Sequence, residues 1–406
     1  MGYTKSAISG FSWQTVLKIL QNLITLAKIF VLARLLSPTD FGLFSLIAIA
    51  LGIAEATTQT GINITIIQSK QSIGYFLNTA WVLSILRGVL IGIVMLILGV
   101  VMGQFYTEPQ LPLFIALASL VPIIKGFINP SIIMLHKNLE FFKDSFYRLT
   151  LTIVDGILAI ILAFWLDSVF ALIYAMIGAA IFEVAISFLF FSQKPTFAYI
   201  PSRAKTILSN AKWLSISSLL SYANDNIDDF ILGKTVGTYN LGLYHNGYAL
   251  GHKPNYDITR SANHGTLPIF AKIVSDKQRL KNAFYKSVGI STVISAVLSL
   301  PLIFFPEFFV TLLLGQQWLP ITQYLGIITF AGFIHAISTS SYPLLLATKN
   351  YSSINIHLLA TLIIMVPLLI FGSQQYGVLG ACVAIAVART ISLPLLMLGV
   401  RHELAK

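Results

Sequence analysis

Charge is scarce in this chain: Asp, Glu, Lys and Arg make up only 10% of its 406 residues, where a soluble protein carries about 25%. Acids are the scarcer sign, 15 against 26 Lys and Arg, which leaves a formal net charge of +11. There is a single cysteine, Cys382, so an intramolecular disulfide is excluded, and no Cys/His cluster has metal-ligand spacing. No long polar stretch separates the apolar ones. A soluble domain is therefore excluded, and with it a basic, aromatic-studded face for a nucleic-acid partner. The first apolar segment contains Lys18, Gln21, Asn22 and Lys28 and no small-x-small site, which argues against a cleaved leader.

What is present is apolar length. The chain is 56% hydrophobic, and runs of about 20 apolar residues, enough to cross a bilayer's hydrocarbon core, recur throughout it. The runs predict an all-α polytopic membrane protein with about twelve spans. They lie near 9–34, 40–62, 76–101, 112–134, 146–166, 168–191, 205–232, 239–262, 284–305, 319–347, 352–371 and 377–400. Basic residues collect at alternate ends, with only Arg34 and Lys234 on the opposite side, which predicts cytoplasmic termini. The net charge thus has a topogenic origin, and the basic stretch Lys272–Lys286 reads as a membrane-surface helix on anionic lipid.

Two segments echo each other at an offset of 200 residues: Arg34-Leu-Leu-Ser-Pro-Thr-Asp-Phe-Gly-Leu-Phe44 and Lys234-Thr-Val-Gly-Thr-Tyr-Asn-Leu-Gly-Leu-Tyr244. Equivalent spans lie six apart and share orientation, so the copies form two parallel-repeat six-helix lobes around a central cavity. The predicted division is an N-lobe over 1–195, a cytoplasmic linker over 196–212 and a C-lobe over 213–406. Gly88-x-x-x-Gly92 and Gly380-x-x-x-Ala384 fit close helix packing.

Ala33–Phe44 resembles the first-loop signature of the polysaccharide transporters, the Wzx-like flippases of the multidrug/oligosaccharidyl-lipid/polysaccharide exporter superfamily. Asn226-Ile-Asp-Asp-Phe-Ile-Leu-Gly-Lys234 with Leu241–Tyr244 resembles the matching seventh-span segment, and Pro268–Ala271 the short motif after the eighth span. The resemblance implies a bacterial or archaeal inner-membrane protein that flips polyprenyl-diphosphate-linked oligosaccharide outward. It implies membrane lipid as surroundings, and the glycosyltransferases and glycan polymerase of the same pathway as partners.

Independently of that resemblance, Gln14, Lys18, Gln21, Thr25 and Lys28 form one polar stripe along the first span. Lys18, Arg87, Lys125 and Arg389 fall near mid-membrane in four spans, where a lipid-facing base costs about 2.5–3.5 kcal/mol. These bases and Lys28 are the candidate substrate-binding residues, lining a cationic cavity for a diphosphate or acidic sugar. The alternative is that each pairs with a buried acid and holds spans together. The seventh span carries Asp225, Asp228 and Asp229, and the repeat offset sets Lys28 opposite Asp228, which predicts an outer gate closed by that pair or by Lys28–Asp225. Asp155 and the seventh-span acids are candidates for binding a coupling proton or Na⁺, with Glu55 and Glu183 as further intramembrane acids. No cofactor or catalytic set is predicted. His335 and His357 read as packing residues.

A glycan polymerase or ligase needs a sizeable outer domain, and the predicted outer loops are short, so the chain reads as a transporter and not an enzyme. A multidrug exporter of the same superfamily is the closer rival. It shares the lobes but calls for an apolar or anionic cavity.

Overall fold

The computed structural model describes residues 2–69, 71–138, 140–209 and 211–405, and these are helical with no strand among them. Met1–Asn226 and Ile227–Lys406 form two compact units. The division falls inside a helix, beyond the 196–212 segment read as the linker.

The first unit begins with α1 (Gly2–Leu35), α2 (Pro38–Thr57) and the short α3 (Ile62–Gln68). The signature between α1 and α2 is a helix start. Ser37 accepts from the Asp40 amide while the Asp40 carboxylate accepts from the Ser37 amide, with Pro38 in the first turn, a reciprocal cap of the kind that satisfies orphan N–H groups. Asp40 Oδ1 also accepts from the Val169 amide at 2.9 Å, so the same side chain anchors a second helix start. Next come α4 (Ile73–Tyr106), α5 (Leu111–Ala118), α6 (Leu120–Lys125) and α7 (Ile133–Lys137). The segments Leu111–Lys125 and Pro130–Lys137 meet at a 68° bend. The close packing expected at Gly88 is present, since a Cβ there would lie 2.4 Å from the Pro122 carbonyl on α6.

Helices α8 (Phe141–Leu166) and α9 (Val169–Phe190) complete the bundle, with α8 packed against both α1 and α9. The connecting segment is docked, not loose. Its helix α10 (Pro201–Leu208) buries Ala204 and Ile207 among Ile62, Ile66, Phe76 and Ile133. Arg203 stacks over the Tyr75 ring at 4.0 Å. Helix α11 (Ala211–Thr235) then runs across the boundary of the two units.

The second unit contains α12 (Gly237–Gly251), α13 (Lys253–Ile273), α14 (Lys277–Phe304), α15 (Pro306–Leu313), α16 (Thr322–Ser340), α17 (Tyr342–Ala347) and α18 (Tyr351–Ala405). The Lys272–Lys286 stretch is not the continuous surface helix expected. It is interrupted by the turn between α13 and α14, where Asp276 accepts from the Arg279 amide at 3.1 Å and starts α14. α18 doubles back at Gly377, whose φ of 60° departs from the helix. The two arms are pinned by Thr361 Oγ1 donating to Ser392 Oγ at 2.8 Å and by Asn350 to Glu403 at 3.0 Å. At the turn a Cβ on Gly380 would lie 2.1 Å from the Gly372 carbonyl, so the arms meet backbone to backbone.

Among the described residues 7 helices are long and apolar enough to cross a membrane, or 8 with the bent pair counted as one span. The expectation of about twelve also counts α1, α11, the α12–α13 pair and both arms of α18. The first three carry polar faces that lower their hydropathy, and the last is one continuous helix only by hydrogen-bond pattern. The protein is a multi-pass, all-helical membrane protein.

Candidate functional site

The polar stripe of α1 faces α8. Gln21 is buried and donates from Nε2 to the Ser145 carbonyl at 3.5 Å. One turn on, Thr25 Oγ1 donates to the Gln21 carbonyl at 2.9 Å. Two turns from Gln21, Lys28 Nζ reaches Asp155 Oδ2 at 2.6 Å. The side chains of Gln14 and Lys18 lie outside the described residues. Lys28 is therefore engaged by Asp155 from within its own unit, whereas the sequence paired it with Asp225 or Asp228.

Gln21, Thr25, Lys28 and Asp155 line a cavity of about 560 Å³ whose wall also holds Lys125, Arg148 and Glu183. A second cavity of about 520 Å³ shares Lys125, Arg148, Leu151 and Glu183 and reaches Arg87. Between them the two cavities present four basic side chains and two acidic ones, an excess of two positive charges. Lys125 is only loosely held. Its Nζ stands 3.6 Å from Glu183 Oε2, and nearly half of its side chain is exposed.

Arg148 is the residue sequence reasoning missed. Counting along the fifth span set it among topogenic charges at the membrane edge. In the structure Asp144, buried and one turn away, accepts from Arg148 Nε through both oxygens at 3.0 and 3.2 Å. His136 Nε2 lies 3.1 Å from the same carboxylate. Asp144 thereby fixes the Nε edge of the guanidinium, which enters the wall shared by both cavities. The i,i+4 spacing of Asp144 and Arg148 was the available signal.

Arg87 has a different engagement. Its Nε donates to the Thr58 carbonyl at 2.8 Å and Nη2 to the Glu55 carbonyl at 3.2 Å. These are C-terminal carbonyls of α2, which a cation is suited to cap. Arg87 therefore closes a helix end and lines the cavity together.

The remaining predicted residues have partners of their own. Asp225 is exposed and lines a third cavity of about 400 Å³ with Glu55, Ser221 and Tyr222. In the second unit Asp228 is buried and accepts from the Tyr244 hydroxyl. Asp229 Oδ2 lies 3.3 Å from His245 Nδ1. Arg389 contacts His252 Nε2. A guanidinium only donates, so His252 must accept there. The His252 ring stacks on Tyr248 at 4.2 Å, and His335 stacks on Tyr256 at 4.7 Å. His357 Nδ1 lies 3.1 Å from the Ser392 carbonyl. Among the described residues no group of three His, Cys, Asp or Glu side chains is placed to hold a metal ion.

The profile of the family described as "Polysaccharide biosynthesis protein" matches residues 31–323 of this sequence. The chain belongs to that family. Its motifs resemble those of the Wzx-like flippases of the multidrug/oligosaccharidyl-lipid/polysaccharide exporter superfamily. It is 23% identical over 397 residues to the lipopolysaccharide biosynthesis protein WzxC of Escherichia coli (strain K12), covering 97% of this chain and 80% of that protein. It is 22% identical over 377 residues to the teichuronic acid biosynthesis protein TuaB of Bacillus subtilis (strain 168), covering 92% and 78%. Among solved structures, the lipid II flippase MurJ in an inward closed conformation superposes with a TM-score of 0.72 at 14% identity, over 96% of this chain and 87% of that one. An inward-facing multidrug resistance MATE family transporter gives 0.70 at 16% identity, over 96% and 98%. At such identities these structures speak for the fold alone.

Proposed function

We propose that this family member is a flippase. It carries polyprenyl-diphosphate-linked oligosaccharide from the cytoplasmic to the outer face of a bacterial or archaeal inner membrane, with both termini cytoplasmic. The observation that carries the reading is the joined cavity of the first unit, with Lys125 and Arg148 in its shared wall and bases in excess. A diphosphate has the charge and the oxygens to draw Lys125 from its long contact with Glu183, while Arg148, held at Nε by Asp144 and contacting His136 through Nη2, still has Nη1 to offer. Lys28 and Arg87 lie further along the same walls and add to the field. Lys18 and Arg389 keep their place as expected substrate contacts. The polyprenyl tail stays in lipid.

Translocation proceeds by alternating access, and a proton or Na⁺ held at Asp155 or at the Asp228–Asp229 pair drives it. Glycosyltransferases supply the substrate and a polymerase or ligase consumes it. The named relatives in lipopolysaccharide and teichuronic acid biosynthesis support a glycan-lipid cargo. A drug exporter is disfavoured because a cavity rich in bases repels organic cations.

The test is genetic and chemical. Deleting the gene in its host should abolish surface glycan and leave lipid-linked oligosaccharide accumulating in the inner leaflet. The intact gene should restore export and Lys125→Ala/Arg148→Ala should not, at equal membrane abundance. Unchanged surface glycan in the deletion strain, with altered resistance to cationic drugs, would favour the exporter.

A further inference from the structure

The cavity that holds Lys125 and Arg148 has a second end of another chemistry. Away from the shared charged wall it is lined by Gln59, Thr60, Asn63, Ser84 and Ser218. These five side chains carry amides and hydroxyls only. None makes a side-chain hydrogen bond to another described residue, although the Gln59 carbonyl accepts from Ser215. Their donors and acceptors are thus uncommitted and face open space. The adjoining 400 Å³ cavity continues from Gln59 and Ser218 and adds Ser221, the ring of Tyr222 and the carboxylates Glu55 and Asp225, acceptors that also suit sugar hydroxyls.

The backbone at this end is shaped to match. α2 stops at Thr57 and α3 starts at Ile62, so four residues of irregular chain interrupt the second predicted span. The turn needs Gly61, whose φ is +71° and whose Cβ would lie 2.6 Å from Leu214. Arg87 satisfies two of the carbonyls freed by the break. Non-helical backbone within a span is tolerated where it lines a water-filled cavity. Gln59, Thr60 and Asn63 lie in or just after this break and share one cavity wall.

We infer that this amide-and-hydroxyl end is a sugar subsite. It binds the hydroxyl groups of the glycosyl residue attached to a diphosphate held at Lys125 and Arg148. Sugar hydroxyls donate and accept at once, and so do Gln, Asn, Ser and Thr side chains. A charged wall followed by an amide-and-hydroxyl wall in one cavity reproduces the order of groups in a diphosphosugar. The volumes of about 520 and 400 Å³ fall within the ~300–1,000 Å³ of small-molecule sites. The inference rests on the flippase reading above and assigns the part of the cavity that discriminates among glycans.

The test uses the purified full-length chain in nanodiscs and two probes, undecaprenyl diphosphate and undecaprenyl-diphosphoryl-N-acetylglucosamine, with binding read by native mass spectrometry. Wild type should bind the sugar-bearing lipid about tenfold more tightly than the bare one, roughly 1.4 kcal/mol. Gln59→Ala/Asn63→Ala should remove that difference, and so should Ser84→Ala/Ser218→Ala. Lys125→Ala/Arg148→Ala should weaken both lipids together. Equal binding of the two lipids by wild type, repeated with glucose and galactose head groups, would overturn the sugar subsite and leave the diphosphate site standing. A difference that survives in both alanine pairs would do the same, leaving hydration as the role of these side chains. Failure of wild type to bind either lipid would overturn both readings.

Discussion

Lys28 Nζ and Asp155 Oδ2 lie 2.6 Å apart, tying the polar stripe of α1 to the middle of α8 inside the first unit. Both side chains are less than a third exposed, so the pair is partly shielded from water and from salt. Removing one partner strands the other, which costs about 1–3 kcal/mol for a hydrogen-bonded charged group. Asp155→Ala and Lys28→Ala should each lower the thermal unfolding midpoint in detergent. Lys28→Asp combined with Asp155→Lys should recover most of the loss. A swapped protein no more stable than the single variants would show that the contact does not hold α1 to α8.

Arg87 should behave as a helix-capping residue. Arg87→Met removes the Arg87 donor from the Thr58 carbonyl and leaves the Glu55 carbonyl to the long Thr58 contacts at 3.4 Å, at about 1–3 kcal/mol, and loosens the turn before α3. Arg87→Lys should recover only part of this, because one ammonium cannot reproduce the guanidinium fork. Hydrogen exchange should rise around residues 55–61 in the Met variant and less in the Lys variant. Unchanged protection there in Arg87→Met would contradict the cap.

His252 should tolerate an acceptor and reject a hydrocarbon. It is wholly buried and meets Arg389 through Nε2. His252→Gln keeps an oxygen that accepts from the guanidinium, and its yield and melting temperature should stay near those of wild type. His252→Leu leaves a guanidinium donor unpaired inside the second unit, again about 1–3 kcal/mol or more. Equal stability of the two variants would mean that Arg389 does not depend on this contact.

The turn of α18 should be intolerant of bulk. Any side chain at Gly380 collides with the Gly372 carbonyl, and forced overpacking costs about 1–3 kcal/mol. Gly380→Val should abolish accumulation of folded protein in the membrane by fluorescence-detected size exclusion. Substitution at Gly74, where a Cβ would meet nothing within 4 Å, should leave it unchanged.

Spans were legible in the sequence because apolar length is a local property. The hairpin of α18 is one case: two apolar runs flank Gly372–Tyr376, and the chain reverses there although its hydrogen bonding reads as one helix. The first-loop motif was legible as a signature but not as a cap joined to α9 through Asp40, since that bond spans 129 positions of sequence. The bases were visible, and their partners were not. Lys28 was assigned by repeat symmetry to the seventh span, but the nearest carboxylate in space sits on α8. Arg148 was discounted because the fifth span was taken to begin near residue 146, which set it at a span end, whereas α8 begins at Phe141 and the cavity reaches Arg148 inside it. Gln59, Thr60 and Asn63 were passed over because they sit at a helix break that the surrounding apolar run conceals.

The central claim is that Lys125 and Arg148 receive a diphosphate head group and carry it across. The most direct measurement is outward flipping of a fluorescent polyprenyl-diphosphate oligosaccharide in proteoliposomes, with and without a proton or Na⁺ gradient. The account predicts flipping by wild type and its loss in Lys125→Ala/Arg148→Ala at equal folding and reconstitution. Undiminished flipping by the double variant would contradict it.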